Sequence, residues 1–431
     1  MQRVLSTLAL TCMLLCPWTA AAQAPTPPSS CSSISSQNLW VRTQLNTYYY
    51  WYQNLPNLNP VSYPSPEAYL EAVRYRPIDN HYSFITSAAS NDSYYNDSQT
   101  IAFGFVNQQT SSEVVVLQVY PGSPASEAGL ERGDRITQVN GQSVAALAAT
   151  GTVNAAFGPS EAGVSAEIVF TKPDGESRQA RMVKRLITVP SVSLTSAVGV
   201  DGRRIGYLNF KAFVRPSEAA LNDAFAALRA AGINELVLDL RYNGGGLVSI
   251  AEHLSSLIGG TRTSGQVLFT QVHNNKLAPT WDETARFTNP EQALNLDRLF
   301  VITTRGSASA SELVINSLRP YMPVVVIGDT TYGKPVGQYG LTFCDKVLYP
   351  VAFTIRNANN EGDYFDGIAP TCAAADDTGH QLGDVAEASF AEALTYIRTG
   401  ACSPSTETAA RALRLKPDNR LAGWAAIVNT W

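Results

Sequence analysis

Two residues carry the chemistry that this sequence offers most openly. Ser309 stands in a run of small residues, Gly306-Ser307-Ala308-Ser309-Ala310-Ser311, and Lys334 follows Gly333, 25 positions after the serine. A serine hydroxyl is a weak nucleophile at its own pKa and needs a base. A lysine amine can be that base in a dry, apolar pocket, because desolvation disfavours the charged form. By themselves the two say little, since a lysine after a glycine is as a rule a solvated turn.

The elements that must position them say more. Leu299–Thr303 is an apolar run that reads as a buried strand, and the small-residue turn follows it. Leu313, Val314 and Leu318 then keep helical spacing up to Pro320, and residues 324–327 read as a second buried strand leading to the turn at Lys334. Strand, small turn and helix put a hydroxyl at a helix N-terminus, where unpaired N–H groups and the dipole favour negative charge. Upstream, residues 205–214 read as a strand and 216–231 as an amphipathic helix stopped by Gly232. Residues 236–240 read as a buried strand, followed by Arg241-Tyr242-Asn243-Gly244-Gly245-Gly246 and a helix over about 247–257. These alternations imply βα units on a largely buried sheet. Val114–Val119 and Arg135–Val139 read as strands of another unit, with a hairpin turn at Asn140-Gly141.

The string SASASE, then VVVIGDTTYGK and Gln338, closely resembles the C-terminal processing peptidases, or tail-specific proteases. The resemblance implies Ser309 as nucleophile, Lys334 as general base and Gln338 as the residue that orients the lysine, with Glu312 structural. LDLRYNGGG resembles the family's LDLRNN(P/G)GG, which implies an oxyanion hole made by the N–H of Gly245 or Gly246, with Gly245 preferred, and the N–H of Ala310. By itself that run of glycines is only a tight strand-to-helix turn. VVVLQVYPGSPASEAGLERGDRITQVNGQSV resembles a PDZ domain. Such a domain adds a peptide as an extra strand and captures its terminal carboxylate in a backbone loop, here Phe103-Gly104-Phe105. The phrases YYWYQNLP and DNHYSFI resemble the N-terminal region of exported family members. The implied fold is α+β to α/β and multidomain: an N-terminal helical region, a PDZ-like β domain and a crotonase-like βα catalytic core. The aromatic stripe of the N-terminal region is expected to be core or a domain contact.

The expected boundaries are 1–24 for a secretory signal peptide, 25–36 for a linker, 37–98 for the helical region and 101–188 for the PDZ unit. The catalytic domain takes 193–397, and a tail takes 398–431. The signal reading rests on one early Arg, a short apolar stretch and small residues near Ala22 and Ala24. No other stretch is apolar enough to span a membrane, and a net charge of −5 gives no reason to expect nucleic acid. Outside the signal remain Cys31, Cys344, Cys372 and Cys402, an even number that suggests disulfides in an exported chain. Three pairings are open. Cys344 and Cys372 bracket one hairpin-like region, which favours that pair together with Cys31–Cys402.

Several decoys fall away. Gly328 to Lys334 begins like a phosphate-binding loop, but Pro335 replaces the Ser or Thr that would hold magnesium. The GxSxG of lipases and the SxxK of β-lactamases are absent around Ser309. His81, His253, His273 and His380 are scattered, His253 in a helical pattern and His273 in a polar loop, and no zinc-type spacing exists. No metal or cofactor is expected. The expected partner is a protein or peptide with a free C-terminus, and nothing in the sequence fixes an oligomeric state. The competing reading is a non-catalytic protein that holds peptides or an apolar ligand on the same fold.

Overall fold

The computed structural model describes residues 27–404. The expected signal peptide and the tail beyond residue 404 lie outside them.

The N-terminal part contains α1 (Ile34–Tyr48), α2 (Pro66–Val73) and α3 (Ala88–Asp97). It is not only helical. Phe84–Ser87 is a strand that pairs antiparallel with Lys346–Tyr349. That pairing joins segments far apart in the chain, so no local pattern announces it. The aromatic stripe is a domain contact: Trp40, Tyr48, Tyr49, Tyr69 and Tyr82 pack with Tyr332, Val336, Phe343 and Val351.

The PDZ-like sheet holds β1 (Phe105–Gln109), β2 (Val114–Val119), β3 (Arg135–Val139), β4 (Ser165–Thr171) and β5 (Ser177–Val183). They lie antiparallel in that order, so β1 is an edge strand. The turn between β3 and the short strand Gln142–Ser143 that pairs back on it has φ of 49° at Asn140 and 77° at Gly141. Left-handed backbone at both central residues is what a two-residue hairpin needs. Between β3 and β4 the chain forms α4 (Val144–Ala149).

The third part carries β6 (Val192–Val200), β7 (Arg203–Phe210), α5 (Ser217–Ala230), β8 (Glu235–Asp239), α6 (Val248–Gly259), β9 (Leu299–Thr303), α7 (Ala310–Leu318), β10 (Val324–Gly328), β11 (Cys372–Ala373) and α8 (Ala388–Thr399). Strands β7 to β11 run parallel, and β6 flanks them antiparallel. Period-two alternation makes the sheet two-faced. Leu208, Leu238 and Val301 face the core shared with α5, α6 and α7. Tyr207, Val237 and Phe300 face Phe390, Ala393 and Ile397 of α8. Helix α5 buries Leu221, Ala224, Phe225 and Leu228, one face at helical spacing. In a sheet of this kind the loops beyond the carboxyl ends of the strands meet in a crevice. Here those are the loops after β8, β9 and β10.

The disulfides correct the favoured pairing. Cys31 bonds Cys344, and Cys372 bonds Cys402. Cys344 sits in the hairpin turn after Phe343, whose ring stacks on Trp40 of α1, and that contact brings the N-terminal Cys31 to it. Cys372 lies on β11 at the opposite edge, where Cys402 arrives just after α8.

Candidate active site

Ser309 is the residue just before α7, at φ 55° and ψ −112°. A non-glycine residue there is strained, at a cost on the order of 1–3 kcal/mol, and such residues gather at functional sites. The surrounding turn is tied down by its own small side chains. Ser307 Oγ donates to Leu240 O at 2.7 Å, Ser311 Oγ donates to Asn243 O at 3.0 Å, and Ala308 N–H donates to the same carbonyl at 3.0 Å. The loop after β9 is thereby fastened to the loop after β8.

Glu312 joins that turn to the lysine. It is fully buried, and its carboxyl takes four donors. Oε2 accepts Ser309 N–H at 2.9 Å and Lys334 N–H at 2.8 Å. Oε1 accepts Gly333 N–H at 2.7 Å and Thr331 Oγ1 at 2.5 Å. One oxygen thus holds the main chains of both candidate catalytic residues. Burial pushes this carboxyl up, against four donors that favour the ionised form. The Ser-x-x-Glu spacing of Ser309 and Glu312 is a capping-box pattern, a signal that could have drawn attention to the glutamate.

Lys334 is buried, and desolvation brings its amine down to about 8, with Asp79 and Glu312 opposing that shift. Nζ donates to Gln338 Oε1 at 2.6 Å. Gln338 has no freedom to flip. Both protons of its Nε2 are placed, on Tyr82 O and Tyr349 O at 2.8 Å each, so its oxygen must face the lysine. No hydrogen bond links Ser309 Oγ to Lys334 Nζ among the described residues. The structure brings the two turns together and leaves this last contact unmade.

The glycine turn approaches closely. A Cβ on Gly245, at φ 93°, would lie 2.7 Å from Ala308 O and 2.9 Å from Ala310 N. The Gly245 N–H, however, donates to Asn243 Oδ1 at 2.9 Å. Of the two expected oxyanion donors, Ala310 N–H stands at the open first turn of α7, and Gly245 N–H already has an acceptor.

Phe103, Gly104 and Phe105 lie at the start of the edge strand β1. Both phenyl rings are buried in the PDZ core, and Gly104 sits against Ser123, with no room for a side chain. His253 Nε2 faces Asn222 Oδ1 between α6 and α5, a packing role. His273 is not in a polar loop. It ends the strand Val267–His273, is buried, and lies between Asp282 and the Tyr339 hydroxyl, with no serine among these partners. Missed by sequence reasoning are the Asp79–Tyr82 turn, which touches the lysine's surroundings, and Arg132, whose contacts cross from the PDZ unit to the segments after β8 and β11.

Three family models match in chain order: the peptidase S41 N-terminal domain over 36–84, a PDZ domain over 115–154 and peptidase family S41 over 204–373. The stretch 204–373, which carries both Ser309 and Lys334, is thus similar to peptidase family S41. It is 27% identical over 240 residues to the chloroplastic C-terminal processing peptidase of Tetradesmus obliquus, covering 53% of this chain and 49% of that one. It is 28% identical over 252 residues to a CtpA-like serine protease of Staphylococcus aureus, covering 58% and 47%. The alignment therefore spans about half the length of these relatives. Among solved structures, an S41 protease from Bacteroides fragilis superposes with a TM-score of 0.68 at 27% identity, covering 84% of this chain and 97% of that one.

Proposed function

We propose that this chain is an exported serine endopeptidase that cleaves proteins near their C-termini with a Ser309–Lys334 dyad. The observation that carries the reading is the single Glu312 oxygen on which the N–H groups of both residues converge. In this reading neutral Lys334 takes the proton of Ser309 Oγ as that oxygen attacks the scissile carbonyl. The C–N bond breaks when the resulting ammonium returns the proton to the leaving amine, and water then releases the acyl group by the same route. Gln338 keeps the amine aimed. Ala310 N–H is the first oxyanion donor. Gly245 N–H is the second, for which the oxyanion competes with Asn243 Oδ1. Each such donor is worth about 3 kcal/mol in the transition state. The edge strand β1 and the Phe103–Phe105 loop suit a C-terminal peptide laid on as an extra strand. Two disulfides support export. Among the described residues no helix is long and apolar enough to cross a membrane.

The test uses an unstructured polypeptide with an apolar tail, offered to the mature chain, to Ser309→Ala and to Lys334→Ala. Only the parent should cleave, and its rate should rise with pH through about 8, since the base works neutral. Equal cleavage by all three, or a rate flat across that range, would exclude the dyad. Binding without cleavage by any of them would favour the non-catalytic alternative.

A further inference from the structure

The lysine side of this site is built in part by residues outside the catalytic sheet. Tyr82 belongs to the N-terminal part and makes two contacts there. Its hydroxyl donates to Gly333 O at 2.5 Å, and its carbonyl accepts Gln338 Nε2 at 2.8 Å. The first fixes the main chain just before Lys334. The second consumes one of the two amide protons that decide which way Gln338 points. Tyr82 is in turn set by Asp79, which is fully buried. Asp79 Oδ1 accepts the N–H groups of Tyr82 at 3.2 Å and Ser83 at 2.9 Å, and Oδ2 accepts Tyr49 Oη at 2.8 Å. Tyr49 is anchored by α1 and by Tyr75 N–H, which donates to its hydroxyl at 2.9 Å.

We propose that the Asp79–Tyr82 turn is a positioning element for the general base. It holds the backbone that carries Lys334 and the amide that aims its amine. The inference rests on the dyad reading above and deepens it: the N-terminal part completes the base's socket.

Two kinds of influence follow. One is mechanical. Without the Tyr82 hydroxyl, Gly333 O loses that donor, and the peptide just before Lys334 keeps only its N–H bonds to Glu312 as an anchor to the serine turn. The other is electrostatic. The charged groups acting on the Lys334 amine are Asp79 from this turn and Glu312 from α7. Burial drives the amine towards neutrality, and Asp79 is the leading charge that opposes it. Removing that charge lowers the amine's pKa, so the acid limb of the activity profile moves to lower pH. A residue that only stabilised the fold would reduce the number of competent sites and leave the limb where it was.

The experiment compares the mature parent, Asp79→Asn, Tyr82→Phe and Lys334→Ala on one peptide. Competent sites are counted by a burst with a serine-directed acylating reagent. Asp79→Asn is expected to shift the acid midpoint of kcat/KM down by about half a pH unit or more. Tyr82→Phe is expected to lower kcat per competent site about tenfold, the order of a misaligned base, with KM within about twofold of the parent. If Asp79→Asn does not fold, the kcat and KM of Tyr82→Phe decide alone. Parental kcat per site in Tyr82→Phe together with an unmoved midpoint in Asp79→Asn overturns the inference while an inactive Lys334→Ala keeps the dyad. An active Lys334→Ala overturns the dyad itself, and the positioning role with it.

Discussion

A carboxylate that accepts four hydrogen bonds has no tolerance for an amide in its place. Glu312 offers both oxygens to two donors each, three of them main-chain N–H groups. A glutamine there keeps one oxygen and points an NH2 at donors on the other side. Leaving buried donors unsatisfied costs roughly 1–3 kcal/mol, and here the loss falls on the contact that joins the backbones of the two residues of the proposed dyad. Glu312→Gln is therefore expected to lower kcat/KM at least about a hundredfold, equivalent to some 2.7 kcal/mol, and to lower the melting temperature. Steady-state kinetics and calorimetry check it, and parental kinetics would show that the glutamate does not set the alignment. At this scale the candidate dyad was legible in the sequence, because small residues around a hydroxyl and a Gly-Lys turn have a recognisable wording. The bridge was not. Its first half follows from the spacing of Ser309 and Glu312, but its reach to Gly333 and Lys334 depends on β9 and β10 lying side by side.

At the scale of the element, the decisive feature is how closely the loop after β8 meets the start of α7. Gly245 holds φ at 93° with a carbonyl and an amide of the opposing turn where a side chain would go. Gly265 has a similar φ of 78° but faces open space. Gly245→Ala should therefore combine backbone strain with a backbone clash, moving Ala310 N–H and Ser309 Oγ together. The expected outcome is loss of activity by two orders of magnitude or more, about what one oxyanion donor supplies. Gly265→Ala should retain activity and lose only about 1 kcal/mol of stability, the backbone cost alone. Comparable activity in the two variants would mean that the close approach is not needed for turnover. The strands and helices themselves were readable from alternation and helical spacing, and β2, β3 and β9 begin and end where the sequence places them. What escaped was contact between remote segments: the strand Phe84–Ser87 on Lys346–Tyr349, and the pairing of Cys31 with Cys344. Neither has a local signature, because both depend on how the N-terminal part folds back over the hairpin that follows Gln338.

At the scale of the whole molecule, one buried arginine joins the PDZ unit to the glycine loop after β8, which is proposed to hold the oxyanion. Arg132 is 3% exposed. Its guanidinium donates to Leu117 O, to Tyr242 Oη at 2.7 Å, to Asp376 Oδ1 at 2.6 Å and to two carbonyls of the segment after β11. Tyr242 Oη donates to Asp376 Oδ2 at 2.5 Å, and Arg241 reaches Asp239, Glu387 and Asp376. Burial pushes the Asp376 carboxyl up, but Arg132 and Arg241 outweigh it and hold it below the usual carboxylate range. A depressed folded pKa contributes stability above the unfolded value near 3.9, and loses it only as pH falls through the folded value. The docked arrangement is thus intact throughout the range in which Lys334 titrates. Arg132→Met keeps the apolar stem but leaves Asp376 and Tyr242 short of a partner, and breaking a buried pair in this way costs about 3–5 kcal/mol. The tyrosine is the residue just before Asn243, which holds the Gly245 N–H. Loss of the arginine should therefore appear first as faster amide exchange over residues 242–246, and as a fall in kcat of about tenfold or more, since a donor worth about 3 kcal/mol would no longer be fixed. The turn that carries Lys334 is held instead by Glu312 and Tyr82, so its exchange should stay parental. Exchange that quickened equally in both loops would mean that Arg132 supports the fold at large, rather than the path from the PDZ unit to the oxyanion loop.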